Sequence, residues 1–342
     1  MKIGVLTGGG DSPATNAAIR AVVKRAESDG HDVIGIKNGW AGVINKDAEK
    51  LTRDDVSGII NKGGTILGTS RTNPFKMDNG IKLVTDGIKS LGIEAICAIG
   101  GDDTLGVAHK LNNLENPVHA VGIPQTIDND IAGTDYAIGF DSALAIATDA
   151  IDKLHTTAES HRRVMIVEVM GRDAGHIALE AGLAGGADVI LVPEEEFDIT
   201  EVGKRIKKRT DMGKTFSIVV VAEGAKPKGV DEQVVKSVKK DMFGHAMLGG
   251  IGEYINQELA NLTHLETRVT NLGHLQRGGA PTPFDRLVAT RFGLRIIELI
   301  NEGKWDHMVC LKGGKVTDIP LGDALKTKPV DMDLLELSKV FY

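Results

Sequence analysis

Cysteine is nearly missing from the sequence. Cys97 and Cys310 stand alone, with no C-x-x-C spacing and no framework of paired thiols. They read as buried thiols of a cytoplasmic protein, and a disulfide between them stays open on sequence grounds. No stretch approaches the roughly 20 apolar residues that a membrane helix requires. The short apolar run at Lys2–Leu6 leads straight into a glycine loop, which reads as a buried strand and not as a signal peptide. Basic excess is also lacking: Lys and Arg total 40 against 47 Asp and Glu, for a formal net charge of -7. A nucleic-acid or membrane-surface role would want a concentrated basic face, so both are disfavoured. Phosphate binding is not, because a local cluster of Arg can sit inside an acidic protein. Internal repeats, low-complexity tracts and Pro-rich linkers are absent, so any connection between domains is expected to be tight and crossed more than once.

What is present suits a globular α/β enzyme. The 342 residues exceed the size at which single cores stop growing, which favours two domains, and 42% hydrophobic with 25% charged residues is ordinary globular composition. Nearly all-apolar runs at Lys2–Leu6, Val33–Lys37, Ala95–Ile99, Val118–Ile123, Val164–Val169, Val189–Val192, Ser217–Val221 and Arg268–Asn271 read as strands covered on both faces. Helical spacing falls between them at Thr15–Glu27, Thr104–Asn112, Ser142–Glu159, Ile177–Ala184 and Phe284–Asn301. That alternation predicts parallel sheet with crossover helices, and a first domain boundary is expected around Gly139–Asp141.

Ligands of open parallel sheets bind at the carboxyl ends of the strands, so the residues that follow the strands are the informative ones. Thr7-Gly8-Gly9-Gly10-Asp11-Ser12-Pro13 follows the first strand and opens a helix. A phosphate cradle and a tight turn explain this loop equally well. It is not a dinucleotide fingerprint, since Pro13 stands where the third glycine belongs. Gly213-Lys214-Thr215 is not a Walker A loop either, because the earlier glycine is replaced by Lys208. Gly100-Gly101-Asp102-Asp103-Thr104 again joins strand to helix. Helix capping explains one Asp there better than two beside paired glycines, and Asp102 close to phosphate would hold Mg²⁺. Pro124-Gln125-Thr126-Ile127-Asp128-Asn129-Asp130 is either a solvated turn or part of the same crevice. In the second case Asp128 accepts the proton of an attacking hydroxyl and Thr126 bonds a phosphoryl oxygen. Asp130 fits metal contact and loop orientation equally.

Arg71, Arg163, Arg172, Arg268 and Arg277 fall in loops and at strand ends, where a planar fork binds phosphate oxygens in pairs. Arg20, Arg53 and Arg291 read as surface charges. Arg172 and Arg277 adjoin glycines, where a ligand is the expected neighbour. His274 reads as a structural, hydrogen-bonded His, and nothing suggests a metal cluster. Glu223 suits sugar hydroxyls or a helix cap.

GGGDSP, GGDDT, PQTIDND, VEVMGR and GHLQRGG, in this order over nearly the whole chain, resemble the phosphofructokinases. ILGTSRTNPFK, DKLHTTAESH and LAGGA are most similar to the bacterial group with both ATP-using and pyrophosphate-using members. The resemblance implies Mg²⁺-assisted phosphoryl transfer to the 1-hydroxyl of fructose 6-phosphate, as a step of glycolysis. It also implies two doubly wound, Rossmann-like parallel-sheet domains with the active site between them. The donor domain is expected over residues 1–140, completed by about 263–309, and the fructose 6-phosphate domain over 141–262, completed by about 310–342. By resemblance, Asp128 is the base and Asp102 the metal ligand. Thr126, Met170, Gly171, Arg172, Glu223, His274 and Arg277 match sugar-phosphate contacts, Thr126 and Arg172 also serving catalysis. Arg163 and Arg268 match arginines that reach the sugar phosphate of a neighbouring subunit, which implies a homodimer or homotetramer. Gly10, Arg71, Thr72, Gly101, Asp102, Asp103 and Thr104 match donor contacts.

Two departures bear on the donor. ATP-using members place Gly where Asp103 stands, to admit the α-phosphate, so Asp103 favours pyrophosphate. Pyrophosphate-using members place Lys where Gln125 stands. Asp103 weighs more, because a like-charge clash excludes a ligand more firmly than a missing Lys forbids one. Lys24 and His155 stand where nucleotide-regulated members have Arg, and only Arg20 remains of that set. Strong activation by ADP or inhibition by phosphoenolpyruvate is therefore not expected. An NAD or lipid kinase shares a related donor loop but lacks partners for PQTIDND and GHLQRGG. A catalytically silent sugar-phosphate sensor would be expected to lose Asp102 or Asp128, and both are present.

Overall fold

A computed structural model describes residues 1–229 and 250–341. The chain divides into two compact units, one of Met1–Ser142 with Arg277–Lys326 and one of Ala143–Gln276 with Thr327–Tyr342. The first is thus assembled from two separated stretches of sequence. Residues 310–326, expected in the second domain, belong to it because their strands join its sheet.

Unit 1 contains, in chain order, β1 (Lys2–Gly8), α1 (Thr15–Ser28), β2 (Asp32–Ile36), α2 (Trp40–Asn45), β3 (Ala48–Leu51), α3 (Gly80–Leu91), β4 (Ala95–Gly100), α4 (Asp102–Asn112) and β5 (Ala120–Pro124). The helix α5 (Phe140–His161) starts here and passes the division point after Ser142. Its sheet has the order β11-β10-β5-β4-β1-β2-β3, in which β10 (His307–Lys312) and β11 (Lys315–Pro320) come from the later stretch. Ahead of them in that stretch lies α9 (Pro283–Asn301), numbered after the helices of unit 2.

Strand residues alternate between two cores. Ala95, Cys97 and Ile99 of β4 pack with apolar residues of α1 and α9, while Ile96 and Ala98 pack with α3 and α4. Burying each isoleucine among them stabilises by about 1.5–3 kcal/mol before conformational entropy is counted. The same alternation settles the thiols. Cys97 and Cys310 are buried and free, and they belong to opposite cores, on different faces of the sheet.

The central strands are parallel, as expected, but both edges are antiparallel: β3 returns along β2, and β11 along β10. The second return uses a two-residue turn, Gly313-Gly314, with φ of 54° and 77°. Positive φ at both positions is what a tight hairpin needs and glycine supplies without strain. The edge strands AEKL and KVTDIP carry polar residues among their apolar ones, so a search for continuous apolar runs passes over them.

Unit 2 is an all-parallel sheet of order β7-β8-β6-β9, built from β6 (Val164–Val169), β7 (Val189–Leu191), β8 (Ser217–Ala222) and β9 (Thr267–Asn271). On it lie α6 (His176–Ala184), α7 (Ile199–Asp211) and α8 (Ile251–Thr263). Val164, Ile166, Val219 and Val221 form one core with Val202 and Ile206 of α7 and Ile251, Ile255 and Leu259 of α8. The last stretch, which holds α11 (Met332–Ser338), is fastened within unit 2 by part-buried polar bonds. Glu194 Oε1 accepts the amides of Gly175 at 3.1 Å and Val330 at 3.0 Å, and His176 Nε2 lies 3.0 Å from the Lys328 carbonyl oxygen. The short α10 (Leu321–Ala324) ends the stretch in unit 1.

The strand orders point to the sites. In unit 1 the chain runs from β1 outward to β2, then returns to place β4 on the other side of β1. In unit 2 it runs from β6 through β7 and β8, then places β9 on the far side of β6. Each reversal is a topological switch point, where the carboxyl ends of neighbouring strands leave a crevice. No helix among the described residues is long and apolar enough to cross a membrane.

Candidate active site

At the switch point of unit 1 the loops after β1 and β4 are joined by one side chain. Thr104, only 4% exposed, lies against both: a Cβ built at Gly8 would stand 2.5 Å from Thr104 Oγ1, and one at Gly100 would stand 2.6 Å from Thr104 Cβ. Both glycines are therefore required to let the strand ends close over Thr104. Here Thr104, expected to touch the donor, packs the loops. Asp102 and Asp103 open α4, where the helix dipole favours negative charge. Asp102 is exposed and its carboxylate is engaged by no hydrogen bond or ion pair among the described residues, while Asp103 is half-buried.

Gly10 is held from its neighbours' side chains. Gln125, 2% exposed, donates from Nε2 to the Gly10 carbonyl at 2.9 Å, and its own amide donates to the Gly100 carbonyl at 3.0 Å. One residue thus ties together the loops after β1, β4 and β5. Arg277 Nη1 donates to the Asp11 carbonyl at 3.1 Å and lies so close to Gly10 that a Cβ there would be 2.5 Å from it. Arg277, expected at the sugar phosphate, rests in this structure against the donor loop. The Arg71–Thr72 segment is brought to the same place: Gly9 donates to the Ser70 carbonyl at 3.1 Å, and the Ser70 and Thr72 hydroxyls are 3.1 Å apart. Arg71 itself is exposed.

The loop after β5 is shaped by its own side chains. Thr126 Oγ1 accepts the Asp128 amide at 3.1 Å. Asn129 takes the left-handed conformation (φ 53°), accepts the Ala137 amide at 2.9 Å and donates to the Asp135 carbonyl at 3.1 Å. With Asn129 so engaged, the Asp128 and Asp130 side chains remain half-buried on either side of it. Behind this loop Asp285, 1% exposed, accepts from the Gly139 amide at 3.0 Å and from the amide and hydroxyl of Ser142. Burial pushes its carboxyl above the ordinary range, against the pull of those donors. Sequence reading missed Asp285, although the Thr282-x-x-Asp285 spacing at the start of α9 is a capping signature, and Thr282 does accept the Asp285 amide at 3.2 Å.

In unit 2 the loop after β6 carries Met170, Gly171 and Arg172. Met170 donates to Gln276 Oε1 at 3.3 Å, so this loop and the Gly273–Arg277 turn after β9 meet at the switch point. Gly171 has φ of 132°, and a Cβ there would stand 2.7 Å from the Ala174 carbonyl oxygen. Arg172 Nε is buried without a hydrogen-bond partner among the described residues. A buried guanidinium donor in that state is what an anion site presents, because unpaired buried donors are otherwise rare. Glu223 is placed beside it by its amide, which donates to the Val169 carbonyl at 2.9 Å. His274 is exposed.

Glu168, unremarked in the sequence, underlies these loops: it accepts the Gly252 amide at 2.9 Å and Asn271 Nδ2 at 2.7 Å. Burial raises its carboxyl pKa. An acid inside an apolar strand was the available signal.

Arg163 and Arg268 are not brought to this crevice. They stand at the amino-terminal parts of β6 and β9, and at about 3.3 Å per residue the strands carry the chain roughly 20 Å from Arg163 to Val169 and roughly 10 Å from Arg268 to Asn271. There they share Glu266, which is 2.9 Å from Arg163 Nε and is also paired with Arg268. The Arg163 contact, foremost, holds the Glu266 carboxyl below its usual range. His155 is engaged as well, its Nε2 2.7 Å from the Gly185 carbonyl oxygen.

The family model described as Phosphofructokinase matches residues 2–300. The pyrophosphate–fructose 6-phosphate 1-phosphotransferase of Amycolatopsis mediterranei is 50% identical over 336 residues, covering 97% of each chain. ATP-dependent 6-phosphofructokinase 3 of Streptomyces coelicolor is 47% identical over 333 residues, covering 96% of this chain and 97% of that one. Phosphofructokinase from Saccharomyces cerevisiae superposes with a TM-score of 0.80 at 32% identity over 95% of this chain, which spans 45% of the yeast chain. A match this long, to sequences and to a solved fold, places the chain in the phosphofructokinase family.

Proposed function

We propose that the protein transfers the terminal phosphoryl group of pyrophosphate to the 1-hydroxyl of D-fructose 6-phosphate, giving fructose 1,6-bisphosphate and orthophosphate. The observation that carries the donor is Asp103 in the first turn of α4, at the switch point of unit 1. A carboxylate at this position opposes the α-phosphate of a nucleotide by charge and by volume, and leaves the smaller pyrophosphate unhindered. Relatives named for pyrophosphate support the same choice.

In this reading Asp128 removes the proton of the 1-hydroxyl as its oxygen attacks phosphorus, and the bridging P–O bond breaks. Thr126 and Arg172 bond the transferring phosphoryl oxygens, and the unpaired Nε gives Arg172 a donor in reserve for them. Met170, Gly171, Glu223, His274 and Arg277 hold the sugar phosphate. Gly10, Arg71, Thr72, Gly101 and Thr104 build the donor loops. Asp102, exposed and unengaged, fits Mg²⁺, which needs one or two carboxylates and takes waters and phosphate oxygens for the rest. When bound, the ion would neutralise charge on the phosphates. Arg163 and Arg268, remote from the crevice in their own chain, serve a neighbouring subunit's sugar phosphate in a homodimer or homotetramer. The cytoplasm, where Cys97 and Cys310 stay reduced, is the proposed location. Strong nucleotide control is not proposed, since the His155 ring is already bonded to Gly185.

Gln125 favours a second reading, with ATP as donor, because it lacks the positive charge of a Lys. Rates of fructose 1,6-bisphosphate formation with pyrophosphate and with ATP, measured side by side, decide between them. A higher kcat/KM with ATP overturns the pyrophosphate assignment. Tight binding of fructose 6-phosphate with no turnover from either donor would mark a silent sensor.

A further inference from the structure

The Gly10–Asp11 segment is gripped on its carbonyl side only. Gln125 Nε2 holds the Gly10 oxygen at 2.9 Å, and Arg277 Nη1 holds the Asp11 oxygen at 3.1 Å. In a planar trans peptide the carbonyl and the following N–H point in opposite directions. Fixing the Gly10 oxygen therefore fixes the Asp11 N–H, and fixing the Asp11 oxygen fixes the Ser12 N–H, each aimed away from its clamp. Among the described residues neither of these amides has a hydrogen-bond acceptor. The clamp is rigid on the Gln125 side, where the side chain is buried and the backbone is tied to Gly100.

We propose that Gln125 and Arg277 are positioning residues, and that they preorganise the Asp11 and Ser12 amides as ligands for the anionic phosphoryl donor. The inference rests on the phosphotransferase reading above. Fixed backbone donors need no reorganisation when the anion arrives, which is why their direction matters as much as their presence. Gln125 thus acts on the donor through the Gly10 peptide, without touching it. Any side chain at position 125 that can donate to the Gly10 oxygen serves, whatever its charge.

The experiment compares Gln125→Met, which fills the space without a donor, Gln125→Glu, which keeps the shape but presents an acceptor, and Gln125→Lys, which keeps a donor. Steady-state kinetics with pyrophosphate and fructose 6-phosphate would be joined by calorimetric titration of Mg²⁺-pyrophosphate. The Met and Glu variants are expected to raise the pyrophosphate KM and Kd by about 10- to 100-fold, the range seen when groups that orient a ligand's direct partners are removed. The fructose 6-phosphate KM should move by less than about 3-fold, and Gln125→Lys should recover most of the loss. Equal increases in both KM values, or a Lys variant no better than Met, overturn the clamp. If Met fails to fold, Glu against Lys makes the same comparison. A wild type without turnover defeats the functional reading alone, because the titrations still test the clamp, and a wild type that binds no pyrophosphate defeats both.

Discussion

Asp285 accepts two hydrogen bonds from Ser142, from the amide at 2.8 Å and from the hydroxyl at 2.5 Å. With the Gly139 amide as a third donor, this one carboxylate sets the start of α5 beneath the loop after β5. Gly139 in turn lies against Ser12, since a Cβ there would be 2.3 Å from Ser12 Cβ. Replacing Asp285 by Ala leaves three donors without their acceptor. Unsatisfied buried groups cost about 1–3 kcal/mol each, so a loss of roughly 3 kcal/mol is expected after partial relaxation. Urea unfolding followed by fluorescence measures it, and a loss under about 0.5 kcal/mol would show that the carboxylate does not hold the helix start.

Asp128→Ser removes the proposed base while keeping a small polar group between Ile127 and Asn129. Turnover should fall by about 10²-fold or more, with fructose 6-phosphate binding little changed. Stopped-flow or coupled assay of kcat, alongside equilibrium binding, separates the two quantities. Wild-type turnover in this variant would remove Asp128 from the chemistry.

Asp103→Gly deletes the carboxylate opposed to a nucleotide α-phosphate. The kcat/KM for ATP should rise relative to that for pyrophosphate, by about 10-fold or more if the clash amounts to roughly 1.4 kcal/mol. An unchanged ratio of the two donors would place the discrimination elsewhere.

His176 predicts an acid sensitivity of unit 2. Burial lowers its pKa from 6.5 to about 4, so the fold favours the neutral ring at the Lys328 carbonyl. The unfolded chain binds the proton more readily, and the stabilisation present above pH 6.5 is lost as pH falls toward 4. At 1.36 kcal/mol per pKa unit, about 3 kcal/mol is at stake. His176→Gln, which keeps an N–H for the same carbonyl, should flatten the pH dependence of Tm between these limits. Parallel curves for the two proteins would show that other groups dominate.

The parallel strands and the two-sheet α/β class were legible because most of the buried strands are continuous apolar runs, and the glycine loops because β1 and β4 end in glycine. The edge strands β3 and β11 were not, since one face of each meets water and their polar residues break the run. Asp128, Asp102 and Arg172 stood out through local context. Asp285 and Glu168 did not, because their partners Ser142 and Gly252 lie 143 and 84 residues away in sequence. The contact of Arg277 with Asp11 spans 266 residues, and no local pattern announces it. The donor role of Thr104 comes from the family resemblance, and its burial against Gly8 and Gly100 is a property of two strand ends meeting that no local pattern shows.

The split composition of unit 1 orders events during synthesis. Its sheet lacks β10 and β11, and its α1 core lacks Phe292, Ile296 and Ile297 of α9, until the ribosome has passed residue 320. Until then β5 is an open strand edge and the inner face of α1 is uncovered apolar surface, both invitations to misassociation. The nascent first 142 residues are thus expected to wait, unfinished, while well over a hundred further residues are made, and to be a natural client for a chaperone during that interval.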